Sequence, residues 1–154
     1  MKKEFITKSE SETFLLGEKI GRNLSPGALI LLYGDLGTGK TVLVKGICKG
    51  LDVPENTYIT SPTFSIVNIY EGKHKIYHID LYRLDCVDTA EIELWEYLED
   101  GIVIIEWADR LTEVKADSYL KVELFYLEDS SRRIVISACG ELQELLIKLD
   151  KDNL

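Results

Sequence analysis

The chain has 154 residues, 45% of them hydrophobic and 29% charged, with fourteen aromatic side chains; that length and composition suit one folded domain over 1–154 and exclude a disordered chain. Eighteen basic against twenty-seven acidic side chains leave a net charge of −9, which excludes a protein that holds nucleic acid through its overall field. Much of the excess sits in one stretch, where Asp85, Asp88, Glu91, Glu93, Glu96, Glu99 and Asp100 stand with no Lys or Arg among them.

Cys48, Cys86 and Cys139 are far apart and belong to no CxxC or Cys/His cluster, so they read as structural thiols of a reducing compartment rather than a zinc site or a disulfide framework. The longest apolar run, Ala28 to Tyr33, is far too short to cross a bilayer. Lys2 and Lys3 lead into Glu4, Glu10 and Glu12 rather than an apolar signal core, so the chain reads as cytoplasmic with no membrane partner.

In chain order, Ser9 and Glu12 have capping-box spacing, and Phe14, Leu15, Gly17, Ile20 and Leu24 recur at helical intervals until Pro26 and Gly27; this predicts a first helix. The run 28–33 predicts a strand covered on both faces, as in a parallel sheet. Leu43, Val44, Ile47 and Leu51 mark the buried side of a second helix, which Gly46 and Gly50 weaken by up to about 1 kcal/mol each relative to Ala. Phe64–Tyr70 and Lys75–Leu81 are β-rich runs around Glu71-Gly-Lys-His74 and predict a hairpin. The acidic stretch from Val87 to Leu98 has helical spacing, and Ile102–Ile105 predicts a short buried strand. Alternation at Leu120, Val122, Leu124 and Tyr126, answered by Ile134, Ile136 and Ala138 after a turn at 129–132, predicts a C-terminal hairpin. A last helix runs from Gly140 to Leu149, with a loose tail from Asp150.

Gly34-Asp-Leu-Gly-Thr-Gly-Lys-Thr41 fits G-x-x-x-x-G-K-[ST] and lies between a buried strand and a helix, where a phosphate-binding P-loop belongs. The glycines let consecutive backbone N–H groups turn inward, and the helix N-terminus adds partial positive charge. Asp35, Leu36, Gly37, Thr38, Gly39, Lys40, Thr41 and Val42 are therefore the candidate nucleotide contacts. Lys40 is suited to the β- and γ-phosphates of ATP, and Thr41 to Mg²⁺. The bland alternative is a glycine-rich turn that binds nothing.

A P-loop ATPase also needs a carboxylate facing the metal, at the end of a neighbouring strand. Glu106 follows Ile102–Ile105 and Asp80 follows Lys75–Ile79, and either could instead be a capping acid. Ser61 and Thr63 lie where switch loops sit between the P-loop helix and the next strand, with a plain connector as the alternative. Trp107 could close the site or be core; His78 reads as a packed strand residue; Arg83 and Arg110 are the arginines near these acids.

Together, the P-loop, Ser61-Pro-Thr-Phe64, His78-Ile-Asp-Leu-Tyr-Arg83 and Ile105-Glu-Trp-Ala-Asp-Arg110 resemble the bacterial TsaE (YjeE) family in wording, order and spacing, over about Ser9 to Leu111. The resemblance implies an α/β fold: a P-loop NTPase three-layer sandwich with a mixed, mostly parallel sheet, closed here by the C-terminal hairpin. It implies an ATPase, binding ATP or ADP with Mg²⁺, that supports threonylcarbamoylation of the adenosine beside the tRNA anticodon with TsaB-like and TsaD-like proteins, tRNA being engaged indirectly. Carried over by motif, Lys40 and Thr41 bind nucleotide and Mg²⁺, and Asp80 and Glu106 complete the metal and water site. Trp107, Ser61, Thr63 and Arg83 are the switch or partner-coupled residues. Where many relatives have Leu-Gly, this chain has Ile92-Glu93, which bears on the local helix geometry.

Two other functions fit a P-loop of this size: a small-molecule kinase, or a nucleotide-dependent binding module with negligible turnover. Kinases carry an arginine-bearing lid, whereas this chain has five arginines and places Arg132 and Arg133 in a predicted turn far along the chain. No N-K-x-D guanine signature occurs.

Overall fold

Ala28–Tyr33 is apolar throughout because its strand feeds two cores at once. The computed structural model describes residues 1–151. In it, β2 (Leu29–Tyr33) turns Ile30 and Leu32 into one hydrophobic cluster and Leu29 and Leu31 into another on the opposite face. The other strands of the sheet are β1 (Lys2–Thr7), β3 (Val67–Glu71), β4 (Lys75–Asp80), β5 (Gly101–Glu106), β6 (Tyr119–Tyr126) and β7 (Arg132–Cys139). The sheet order is β1-β7-β6-β2-β5-β4-β3. Pairings β6-β2, β2-β5 and β5-β4 are parallel, and the outer pairings β1-β7, β7-β6 and β4-β3 are antiparallel, so a parallel centre is flanked by hairpins on both sides.

One face of the sheet carries α1 (Glu10–Arg22), α2 (Lys40–Gly50) and α4 (Gln143–Lys151). Ser9 caps α1 by accepting from the Glu12 N–H, and the Glu12 carboxylate reaches back to the Lys8 N–H. The glycines of α1 and α2 have a packing reason. A Cβ on Gly46 would collide with the carbonyl oxygen of Phe14, and one on Gly21 with that of Ile47. The helix propensity lost at these positions is thus exchanged for backbone-to-backbone approach of α1 and α2.

The other face is covered by shorter pieces. The continuous helix expected over Val87–Leu98 is instead a 3-10 turn, Thr89–Ile92, followed by α3 (Leu94–Asp100). The break is at Glu93, which has φ 56° and ψ 34° in the left-handed region, a conformation that glycine adopts without steric cost. The Ile92-Glu93 departure therefore falls on the residue where the backbone turns.

Other parts of the chain also differ from expectation. No element is expected before Ser9, yet β1 pairs with β7 at the edge of the sheet. The strand expected from Phe64 begins at Val67, because Ile66 takes φ 72° and its N–H closes a turn onto Pro62. Tyr126 continues the alternation of β6 but lies beyond the covered part of the sheet and is exposed. Of the tail expected from Asp150, residues 150 and 151 belong to α4, and 152–154 lie outside the described residues.

Cys48 is buried on α2, and burial pushes its thiol up to about 12, so it stays protonated as a structural thiol should. No helix among the described residues is long and apolar enough to cross a membrane.

Candidate functional site

Parallel strands leave their carboxyl ends at one edge of a sheet, and loops that follow them converge there. Register fixes which residues meet: Asp80 at the end of β4 is opposite Glu106 at the end of β5, and Glu106 is opposite Leu32 of β2. Asp80, Glu106 and His78 thereby share the sheet face that carries α1 and α2. The loop between β2 and α2 curls over the same edge, with Gly37 and Gly39 at φ 79° and 102°, backbone settings that side-chain-bearing residues adopt only with strain.

The result is a cavity of about 360 Å³ lined by Leu36, Gly37, Gly39, Lys40, Thr41 and Val42 of the P-loop. Across from them stand Ser61, Thr63, Asp80, Tyr82, Glu106 and Trp107. Of the candidates, Asp35 and Thr38 belong to the loop but do not line the cavity; Thr38 is buried and its hydroxyl donates to the Asp35 carbonyl at 2.8 Å. Arg83 also stands apart, with its guanidinium 4.9 Å from the Phe64 ring.

Lys40 is almost fully buried, and its ammonium donates to the carbonyls of Gly34 and Asp35, the latter at 2.9 Å. It also stands 4.4 Å from the centre of the Trp107 ring. Burial lowers its pKa, opposed by the charges of Glu106 and Asp80. Asp80 moves upward, again chiefly through burial. The cavity thus holds one lysine and two carboxylates largely withdrawn from water, where charge interactions are stronger than at a surface.

The two acids are held differently. Asp80 Oδ1 accepts from the Tyr82 N–H at 2.8 Å, and Oδ2 accepts from the Thr63 hydroxyl at 3.2 Å. Glu106 Oε2 faces His78 Nε2 at 2.6 Å; since a carboxylate only accepts, that nitrogen carries the proton. No hydrogen bond engages Glu106 Oε1 among the described residues.

His78 extends the contact. Its Nδ1 lies 3.1 Å from the Tyr70 hydroxyl, which is 3.2 Å from the carbonyl of Thr60, the residue before Ser61. Ser61 Oγ in turn lies 2.6 Å from Thr41 Oγ1. Glu106 and the loop at 60–63 are therefore joined through buried β3 and β4 side chains as well as across the cavity. Two non-glycine residues in left-handed backbone, Ile66 and Trp107, border this wall and store strain of about 1–3 kcal/mol each.

Thr41, Ser61, Thr63, Asp80 and Glu106 form an all-oxygen set of hydroxyls and carboxylates. That donor chemistry fits Mg²⁺, which takes one or two protein carboxylates and completes its shell with phosphate and water.

Sequence reasoning missed residues that only tertiary structure brings here. Ser9, Glu10 and Thr13 from the start of α1, Tyr82, and Ser130 and Arg132 from the β6–β7 turn also line the cavity. Arg132, expected in a remote turn, donates to the carbonyls of Gly37 and Thr38. An arginine does reach the site, and no local pattern around 129–132 signals it.

The family model described as threonylcarbamoyl adenosine biosynthesis protein TsaE matches residues 7–134, a span that includes every cavity residue named above. The chain belongs to the TsaE family. Curated members are similar over most of their length: a tRNA threonylcarbamoyladenosine biosynthesis protein TsaE from Nostoc sp. PCC 7120 is 44% identical, covering 89% of this chain and 86% of the relative. The same-named protein from Aquifex aeolicus is 38% identical over 87% of this chain and 95% of its own. Among solved structures, Bacillus subtilis YdiB superposes with a TM-score of 0.79 at 28% identity, covering 99% of this chain and 97% of that one. The TsaE family is a P-loop family, and its fold implies nucleotide binding.

Proposed function

We propose that this chain acts as a single P-loop ATPase domain that hydrolyses ATP with Mg²⁺ in the cytoplasm to support threonylcarbamoylation of the adenosine next to the tRNA anticodon. Its proposed protein partners are TsaB-like and TsaD-like, with tRNA engaged through them. The names of the curated relatives support the pathway. The observation that carries the enzymatic reading is the single cavity in which Lys40 and Thr41 face Asp80 and Glu106.

In this reading the inward N–H groups of the P-loop and the ammonium of Lys40 bind the polyphosphate and offset charge that builds on it during transfer. Thr41, with Asp80 and the hydroxyls of Ser61 and Thr63, would hold Mg²⁺, which would supply charge neutralisation for the polyphosphate. Glu106 is the better placed of the two acids to orient the attacking water and accept its proton. His78 fixes one of its oxygens, and Glu106 itself lines the cavity. Asp80 has both oxygens engaged by Tyr82 and Thr63, which suits a holding role. Trp107, against Lys40 and Tyr82, and the loop at 60–63 would change arrangement with nucleotide state.

The acidic surface also favours this division of labour, because a chain of net charge −9 leaves the RNA-binding field to its partners. The test is phosphate release from ATP by the purified chain with Mg²⁺, with the metal chelated, and in the presence of candidate small-molecule acceptors. Mg²⁺-dependent release of inorganic phosphate without an acceptor supports hydrolysis. Phosphate appearing on an acceptor instead makes the chain a kinase, and tight binding with no release makes it a nucleotide-dependent binding module.

A further inference from the structure

The guanidinium of Arg132 makes an unusual set of contacts for a turn residue. Its Nε donates to the Thr38 carbonyl at 3.1 Å and Nη2 to the Gly37 carbonyl at 3.0 Å. Its Nη1 is anchored within its own turn, on Ser130 O at 2.8 Å and Ser131 O at 3.3 Å. Tyr126 places its ring 4.5 Å from the guanidinium carbon. Among the described residues Arg132 has no acidic partner, whereas its neighbour Arg133 pairs with Glu4 at 3.1 Å. A residue ninety-four positions along the chain from Thr38 thus grips two successive carbonyls of the phosphate loop.

Peptide geometry gives that grip a consequence. In a trans peptide the C=O and the following N–H point in opposite directions. A carbonyl of Gly37 held by Arg132 turns the Thr38 N–H to the side away from the guanidinium, and the Thr38 carbonyl does the same for the Gly39 N–H; the proposed clamp keeps those N–H groups turned inward on the hollow of the loop. Anion binding by such loops depends on that inward orientation, and outward carbonyls left without donors would relax it. A planar fork can hold two adjacent carbonyls at once; an ammonium group, as a point donor, cannot hold both in the same geometry.

Resting on the reading that the cavity takes ATP and ADP, we propose that Arg132 is a positioning residue for nucleotide binding: it clamps the P-loop through the Gly37 and Thr38 carbonyls and thereby sets affinity for the polyphosphate. It acts through the loop backbone rather than on the transferring phosphoryl group. Without the clamp the inward-facing loop is only a fraction of the population, and affinity falls by that fraction.

The test is calorimetric titration of ADP into the full-length wild-type chain and into Arg132→Lys, Arg132→Gln and Arg132→Ala, together with KM and kcat for ATP. Arg132→Ala and Arg132→Gln are expected to weaken ADP about tenfold, with KM for ATP rising in step and kcat falling much less. Arg132→Lys does not restore affinity, and ethylguanidinium added to Arg132→Ala restores part of it, a recovery that a general loss of folding would not allow. If Arg132→Ala fails to fold, the Gln and Lys variants carry the comparison. Wild-type affinity in the folded variants overturns the proposal, as does a collapse of kcat at unchanged KM, which would put Arg132 on the reacting phosphate. A wild-type chain that binds neither ATP nor ADP refutes the nucleotide reading itself, an outcome distinct from wild-type binding that is indifferent to Arg132.

Discussion

The two faces of the sheet are built in opposite ways. On one, α1 and α2 meet backbone to backbone at glycines, and α2 begins inside the phosphate loop, so the floor of the cavity is fixed by tight packing of two regular helices. On the other, a 3-10 turn and a seven-residue helix meet at Glu93 in left-handed backbone, and acidic side chains crowd the surface. The wall of the cavity has a similar irregular character: Ile66 and Trp107 take left-handed conformations, and the acids are set by side-chain hydrogen bonds. The contrast teaches a division between a floor built on closely packed regular helices and a wall whose arrangement rests on individual hydrogen bonds.

The most severe way to break this contrast is to push the packed face apart. Gly46→Val drives a branched side chain into the Phe14 carbonyl and should destabilise the chain by about 3 kcal/mol, lowering the melting temperature by roughly 10 °C in calorimetry. On the floor itself, Lys40→Ala should cut ATP turnover about a hundredfold or more while leaving the melting temperature of the ligand-free protein far less affected than Gly46→Val does; phosphate release and thermal melts read the two effects separately.

Glu106→Gln should lower kcat by about tenfold or more, and Asp80→Asn should act more through Mg²⁺ dependence, raising the Mg²⁺ concentration needed for half-maximal turnover. Equal behaviour of the two variants in a Mg²⁺ titration would contradict the distinction drawn between the acids. The smallest effect is expected on the acidic face, where Glu93→Gly relieves the left-handed residue and should stabilise by about 1 kcal/mol, read as a small rise in melting temperature with ATP turnover unchanged.

What the sequence reveals of this molecule divides along similar lines. The P-loop, the strands ending in Asp80 and Glu106, and the two hairpins are written in contiguous patterns, because each depends on local turn chemistry or on a two-residue period. The mixed sheet follows from the same patterns. β1 is hidden because its alternation is mixed: apolar Ile6 stands on the exposed side with Lys2 and Glu4, while Lys3 shares the inner side with Phe5 and Thr7. The break at Glu93 is a backbone event in a stretch whose side chains keep helical spacing. Arg132 reaches the P-loop from ninety-four residues away and leaves no local mark, and the His78–Tyr70–Thr60 contacts are side-chain hydrogen bonds that a strand pattern does not signal. The helix glycines show the limit most plainly: Gly46 reads as a weak point by propensity and proves to be the place where α1 fits.

The most direct measurement is repeated threonylcarbamoylation of tRNA by TsaB-like and TsaD-like proteins from the same source, with this chain, without it, and with Lys40→Ala, following ATP consumption alongside. Many rounds of modification are expected only with the intact P-loop, with ATP consumed in proportion. Modification that proceeds equally without the chain, or equally with Lys40→Ala, would contradict it.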